Sequence, residues 1–165
     1  MKVLIPIDGT PSSLRAVEHA INRPASGPLE IHLLHVRSPF SQHVAGFVGW
    51  SARAAWHRQE AGKAVAAART LLQSSRIAHA VHVEIAADRA RAIHEAARRL
   101  GASRILIGTA RKNSVARMVT DSVTNRLLGI TEVPVEVVVG DPISLLERYA
   151  IPAAIGATLL YLAIE

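Results

Sequence analysis

Short runs rich in β-branched residues alternate with longer stretches of helical pattern along this chain, and that alternation leaves few folds open. Repeated strand–helix–strand units build a parallel sheet whose crossovers place helices on both faces. Residues 2–7 (KVLIPI) are almost continuously apolar, as a central strand buried on both sides requires. Asp8, Gly9 and Thr10 close this run. Pro11, Ser12 and Ser13 are helix-start residues, and Leu14, Val17 and Ile21 behind them share one helical face. Pro24, Gly27 and Pro28 then break the chain before a second apolar run, residues 29–36 (LEIHLLHV). Residues 51–75 are rich in alanine and other good helix formers and predict one long helix.

Residues 79–87 (HAVHVEIAA) alternate as a third strand, and residues 88–100 predict a helix with Asp88 at its start and Arg98 and Arg99 at its end. Those charges complement the helix dipole. Gly101 stands where a helix C-cap belongs, and residues 104–108 (RILIG) make a fourth strand. A basic, polar loop follows over residues 109–119, then a helix over residues 120–128, and Gly129 and Pro134 lead into a fifth strand, Val135–Val139. The reading is an α/β domain over residues 1–140 and an apolar extension over residues 141–165.

Composition narrows the chemistry. Half of the residues are apolar and 19% are charged, so the chain is not of the polar kind that stays disordered. At 165 residues it matches the size of one domain. No cysteine is present, which excludes disulfides, thiolate metal sites and cysteine nucleophiles. The eight histidines form no HxxxH or HExxH spacing, no serine sits in a GxSxG elbow, and no pair of carboxylates stands out. Catalytic and metal-binding residues therefore have no candidate. The net charge of +6 comes from arginines scattered over several segments, and two each of Phe, Tyr and Trp supply no stacking platform, so nucleic acid is not an expected partner. Residues 1–10 lack the long apolar core of a secretory signal, which places the expectation in the cytoplasm.

The first strand ending in Asp8, the LLHV of the second, the GASRILIGT around the fourth and the closing TEVPVEVVV together resemble the universal stress protein family. The resemblance runs over residues 1–140. It implies a five-stranded parallel sheet of order 3-2-1-4-5 with helices on both faces, related to the adenine nucleotide alpha hydrolase-like folds. It also implies a homodimer joined through the edge strand Val135–Val139. In the nucleotide-binding branch, the loop after the fourth strand carries a G-x-x-G-x9-G-[S/T] pattern that wraps ATP phosphates. Here Gly108 and Ser122 match its ends, but Arg111 and Asp121 occupy the two inner glycine positions.

A glycine-rich loop holds phosphate because bare backbone approaches closely and accepts positive φ. Arg111 and Asp121 lack that freedom, and the Asp121 carboxylate competes for the same helix N-terminal amides that would greet a phosphate. Asp121 has the character of an N-cap, while Arg111 and Lys112 offer cations in partial compensation. The resemblance also brings Asp8, Val36 and Val123 to the nucleotide pocket. Asp8 has a second reading as ordinary Asp-Gly-Thr turn chemistry, and Val36 a second reading as core.

The extension is uncharged from Tyr149 to Ile164. Sixteen helical residues span ~24 Å, short of a ~30 Å hydrocarbon core, so burial against protein, most simply in a homo-oligomer, is expected ahead of membrane contact. The leading expectation is a non-catalytic stress-response homodimer with a degenerate nucleotide loop. The alternatives are an ATP or adenine-nucleotide regulator, using Asp8, Gly108, Arg111 and Ser122 with Mg²⁺, and a membrane-associated form held by the extension.

Overall fold

The apolar run of residues 2–7 becomes β1 (Lys2–Pro6), the middle strand of a five-stranded sheet. Val3, Leu4 and Ile5 are fully buried because helices cover both faces around them. The structure, a computed structural model, describes residues 1–23, 27–40, 49–109 and 122–139. Within these the remaining elements are α1 (Pro11–Asn22), β2 (Glu30–Arg37), α2 (Trp50–Ser74), β3 (Ala78–Ile85), α3 (Arg89–Leu100), β4 (Arg104–Thr109), α4 (Ser122–Ile130) and β5 (Val135–Val139). The sheet order is β3-β2-β1-β4-β5 and every pairing is parallel, so the expected topology holds. Boundaries differ from the sequence reading by one or two residues, where strand pairing and helix capping outweigh local propensity. The expected apolar helix over residues 141–165 lies outside the described residues. Among the described residues no helix is long and apolar enough to cross a membrane.

The two faces carry two cores. Val3, Ile5, Ile31, Leu33 and Leu106 point to one side and bury Ala16, Val17 and Ala20 of α1 with Val65, Ala68 and Leu72 of α2. Leu4, Leu34, Ile105 and Ile107 point to the other, against Ala90, Ile93, Ala96 and Ala97 of α3 and Leu127 of α4. This is the period-2 division of strands buried on both faces. Alanine on the inner side of α1 and α3 lets both helices lie close to the sheet. Gly101 closes α3 with φ +63°, as the sequence suggests, and Asp88, expected at the helix start for its charge, also caps it, its side chain accepting from Arg91 N. Thr10 caps α1, its Oγ1 accepting from Ser13 N.

One backbone detail shapes the carboxyl end of the sheet. Lys2 O accepts from Ser103 N on the β4 side, whereas Ile7 N donates to Leu34 O on the β2 side. Backbone groups alternate sides along a strand, so Pro6 faces β4 with no N–H to donate. β1 pairs with β2 through Pro6↔Leu34 but with β4 only as far as Leu4↔Ile105. Beyond that point the ladder between β1 and β4 stops, at the place where the strand order reverses.

Candidate functional site at the carboxyl ends of the central strands

Open α/β sheets bind ligands outside the carboxyl ends of their strands, where the chain order reverses, and here that place lies between β1 and β4. Asp8 leaves β1 on an exposed turn. Its Oδ1 accepts from Thr10 N at 3.0 Å and Thr10 Oγ1 at 2.6 Å, and its own N–H reaches Ser13 Oγ at 3.5 Å. Partial burial pushes the carboxyl up, but the hydrogen bonds from Thr10, with a lesser one from Ser13, outweigh this and hold it below the ordinary aspartate range. Asp8 is thus a fixed anion whose lone pairs are partly engaged. Both sequence readings meet in it, since it forms the turn and also stands at the crevice. Gly9 makes the turn possible: its φ is +82°, and a Cβ there would meet Ala64 Cα of α2 at 3.3 Å.

Gly108 lies across the crevice near the end of β4. A Cβ at this position would sit 1.8 Å from Ser12 O and 2.4 Å from Ser12 C, so the first turn of α1 occupies the space a side chain would need. Packing against α1 therefore suffices to require glycine here, whatever the adjoining loop holds. Ser13, the next residue of that turn, is buried and donates from Oγ to Thr10 O at 2.9 Å. Asp8, Thr10, Ser13 and Gly108 form one assembly around the N-terminus of α1.

The remaining candidates divide. Val36 and Val123 are half-buried against the core on the α3–α4 face, a packing role, away from the α1–α2 core. Ser122 is the first residue of α4. Arg111, Lys112 and Asp121 lie outside the described residues, as does the expected N-cap arrangement at Asp121.

Two groupings escape sequence spacing because they cross between elements. At the end of β2, the Arg37 guanidinium lies 4.0 Å from the centre of the Trp56 ring, and Phe40, Trp56 and His57 contact one another with ring centres 4.8–5.3 Å apart. Burial, then Arg37 and Arg53, push the His57 imidazole below its ordinary value, so it is neutral at pH 7. The rarity of aromatic residues was the available signal: two of the few sit together. On the other face His32 and His82 stack, with His32 Nδ1 and His82 Nε2 3.0 Å apart. His32 and His35 fall on opposite faces as their spacing requires, but the partner of His32 comes from the neighbouring strand. Among the described residues no group of three or more His, Asp or Glu side chains could hold a metal ion.

Comparison with known proteins gives a consistent picture. Residues 1–139 match the Universal stress protein family. A universal stress protein of Methanocaldococcus jannaschii is 28% identical over 144 residues, covering 83% of this chain and 81% of that protein. A universal stress protein family structure from Burkholderia pseudomallei superposes with a TM-score of 0.64 at 24% identity, over 83% of this chain and 94% of that one. An Arabidopsis thaliana family structure with AMP bound superposes with a TM-score of 0.61 at 13% identity, over 86% and 92%. These two structural likenesses speak for the fold.

Proposed function

Because the chain belongs to the universal stress protein family, we propose that it is a non-catalytic stress-response protein of the cytoplasm, acting as a homodimer, whose crevice is not built for a triphosphate. The observation that carries this reading is the pair of side chains, Arg111 and Asp121, at positions where a phosphate-wrapping loop uses bare glycine backbone. Gly108 adds to it, since the contact with Ser12 accounts for the glycine that does match. Asp8 is held ionised by Thr10, which makes it a weak general base near neutral pH and supports the non-catalytic reading. Exposed Val137 and Val139 on β5, with Leu128 and Ile130 on α4, give the dimer an apolar surface to bury.

A second reading has one observation in its favour. The Arabidopsis relative is described with AMP bound, and a monophosphate asks less of the loop than ATP does. In that case Asp8 and the end of β2 hold the nucleoside and Arg111 or Lys112 meets the single phosphate. Calorimetric titration of the full chain with ATP and with AMP separates the two. The first reading expects at most millimolar affinity for both, and a micromolar constant for either that disappears in Asp8→Ala would overturn it.

A further inference from the structure

The longest exposed edge of the sheet is β3, on the side away from β5. Ala86 N donates to Arg37 O, so even-numbered residues of β3 turn their backbone groups to β2. Odd-numbered residues, His79, Val81, Val83 and Ile85, then present N–H and C=O outward, and no described strand pairs with them. Exposed edges of this kind are normally blunted by lysine, proline, a bulge or shortness. β3 has eight residues, Ala78–Ile85, and none of these devices. Its odd side chains are also apolar and open: Val81 is 37% exposed, Val83 45% and Ile85 54%.

The sequence of this edge is complementary to itself. If two copies meet antiparallel about a twofold axis at Val83, Val83 faces its own copy and Val81 faces Ile85 in both directions. These are the residues whose backbone groups point outward, so each facing pair exchanges both of its N–H···O=C bonds. Between them fall the close, non-hydrogen-bonded positions, ~4.5 Å between Cα atoms, and there His82 faces Glu84 in both directions. A twofold axis at His82 would instead set the two imidazoles against each other and leave Glu84 facing Ala80. Burial, then His32 and Arg99, push the His82 imidazole below its ordinary value, and Glu84 already receives Arg99 Nη2. The register at Val83 is therefore selected by hydrogen bonding, which sets an imidazole opposite a carboxylate, and not by opposite charges.

We propose that the β3 edge is a second self-association surface, joining two copies of the chain through an antiparallel β3–β3 ladder centred on Val83. The sheet then runs continuously through both copies, and Val81, Val83 and Ile85 are covered by their counterparts. This surface is separate from the β5 edge and does not depend on it.

The test uses the full chain. Sedimentation equilibrium of wild type should show an association step that weakens at least tenfold in Val83→Lys. Val83→Cys, in a chain with no other cysteine, should give a disulfide-linked dimer on mild oxidation, because the axis brings the two residues opposite each other. Hydrogen exchange should show the amides of Val81, Val83 and Ile85 slowing as protein concentration rises. Unchanged association in Val83→Lys, with no crosslink in Val83→Cys and exchange independent of concentration, overturns the proposal. Protection of those amides at every concentration, lost on removing residues 141–165, also overturns it and makes the chain's own extension the occupant.

Discussion

The middle of the sheet and its two edges use the same residue types to opposite ends. Leu4, Ile5, Ile105 and Leu33, on β1, β4 and β2, are wholly buried, and their strands have neighbours on both sides. Val81, Val83 and Ile85 on β3, and Val137 and Val139 on β5, are as apolar but remain 37–57% exposed on strands with one neighbour each among the described residues. A β-branched run in the first setting contributes to the stability of the single chain. In the second it contributes little until another surface covers it. Hydrophobicity along a strand thus tells where the sheet is, and exposure tells which part of it is left for association.

Removal of packing from the middle should have the largest effect. Leu4→Ala is expected to destabilise the chain by about 2–5 kcal/mol, since the α3–α4 layer packed on it cannot collapse fully into the space. Chemical denaturation monitored by circular dichroism measures this, and a loss no larger than that of an edge valine would break the comparison. Gly108→Ala comes next, at about 2–3 kcal/mol, because the new Cβ meets backbone of α1 and not a movable side chain. The same denaturation experiment applies, and a neutral outcome would return Gly108 to a purely ligand-based role.

Glu136, on the edge strand β5, tests an attachment of intermediate size. Its carboxylate receives His19 Nε2, Arg23 Nη1 and Arg104 Nη1, which ties α1 and β4 to β5. Burial pushes this carboxyl up, but His19, Arg23 and Arg104 outweigh it and bring it below the ordinary glutamate range. A depressed folded value contributes stability that is complete above the ordinary range and fades as pH falls through the folded value. Glu136→Gln should therefore cost about 1 kcal/mol at pH 7 in this partly exposed setting, and the difference from wild type should vanish in strong acid. Denaturation midpoints measured down to pH 2 check both the size and the sign. Smallest is Val83→Thr, expected to change single-chain stability by less than about 0.5 kcal/mol at low concentration. A larger loss there would mean that the β3 edge is part of the core after all.

The sheet was legible in the sequence because each buried strand announces itself as an apolar run closed by turn residues, as residues 2–7 and Asp8-Gly9-Thr10 do. That the sheet is parallel followed from the alternation of strands with helices, and Gly101 marked the end of α3, whereas the strand order came from the family resemblance. The site was legible only in part. Asp8 could be nominated from its strand-end position, but its bonds to Thr10 and Ser13 decide how much of its charge is left over, and those depend on the turn geometry. Gly108 matched a motif, yet its steric reason lies in Ser12, far away in the chain. The stacked His32 and His82 and the Arg37–Trp56 contact were hidden for the same reason: spacing along one element says nothing about what a neighbouring element brings.

Pro6 gives the central cleft a particular kind of permanence. An opening that depends on loop residues can be closed by altering the loop, but this one begins where an imino acid interrupts the lattice of amide bonds between β1 and β4. Side chains placed in the adjoining sequence, such as Arg111 and Asp121, do not alter where the β1–β4 ladder ends. In such a scaffold the backbone of β1 sets the position of the cleft, and the side chains around it set what it can hold.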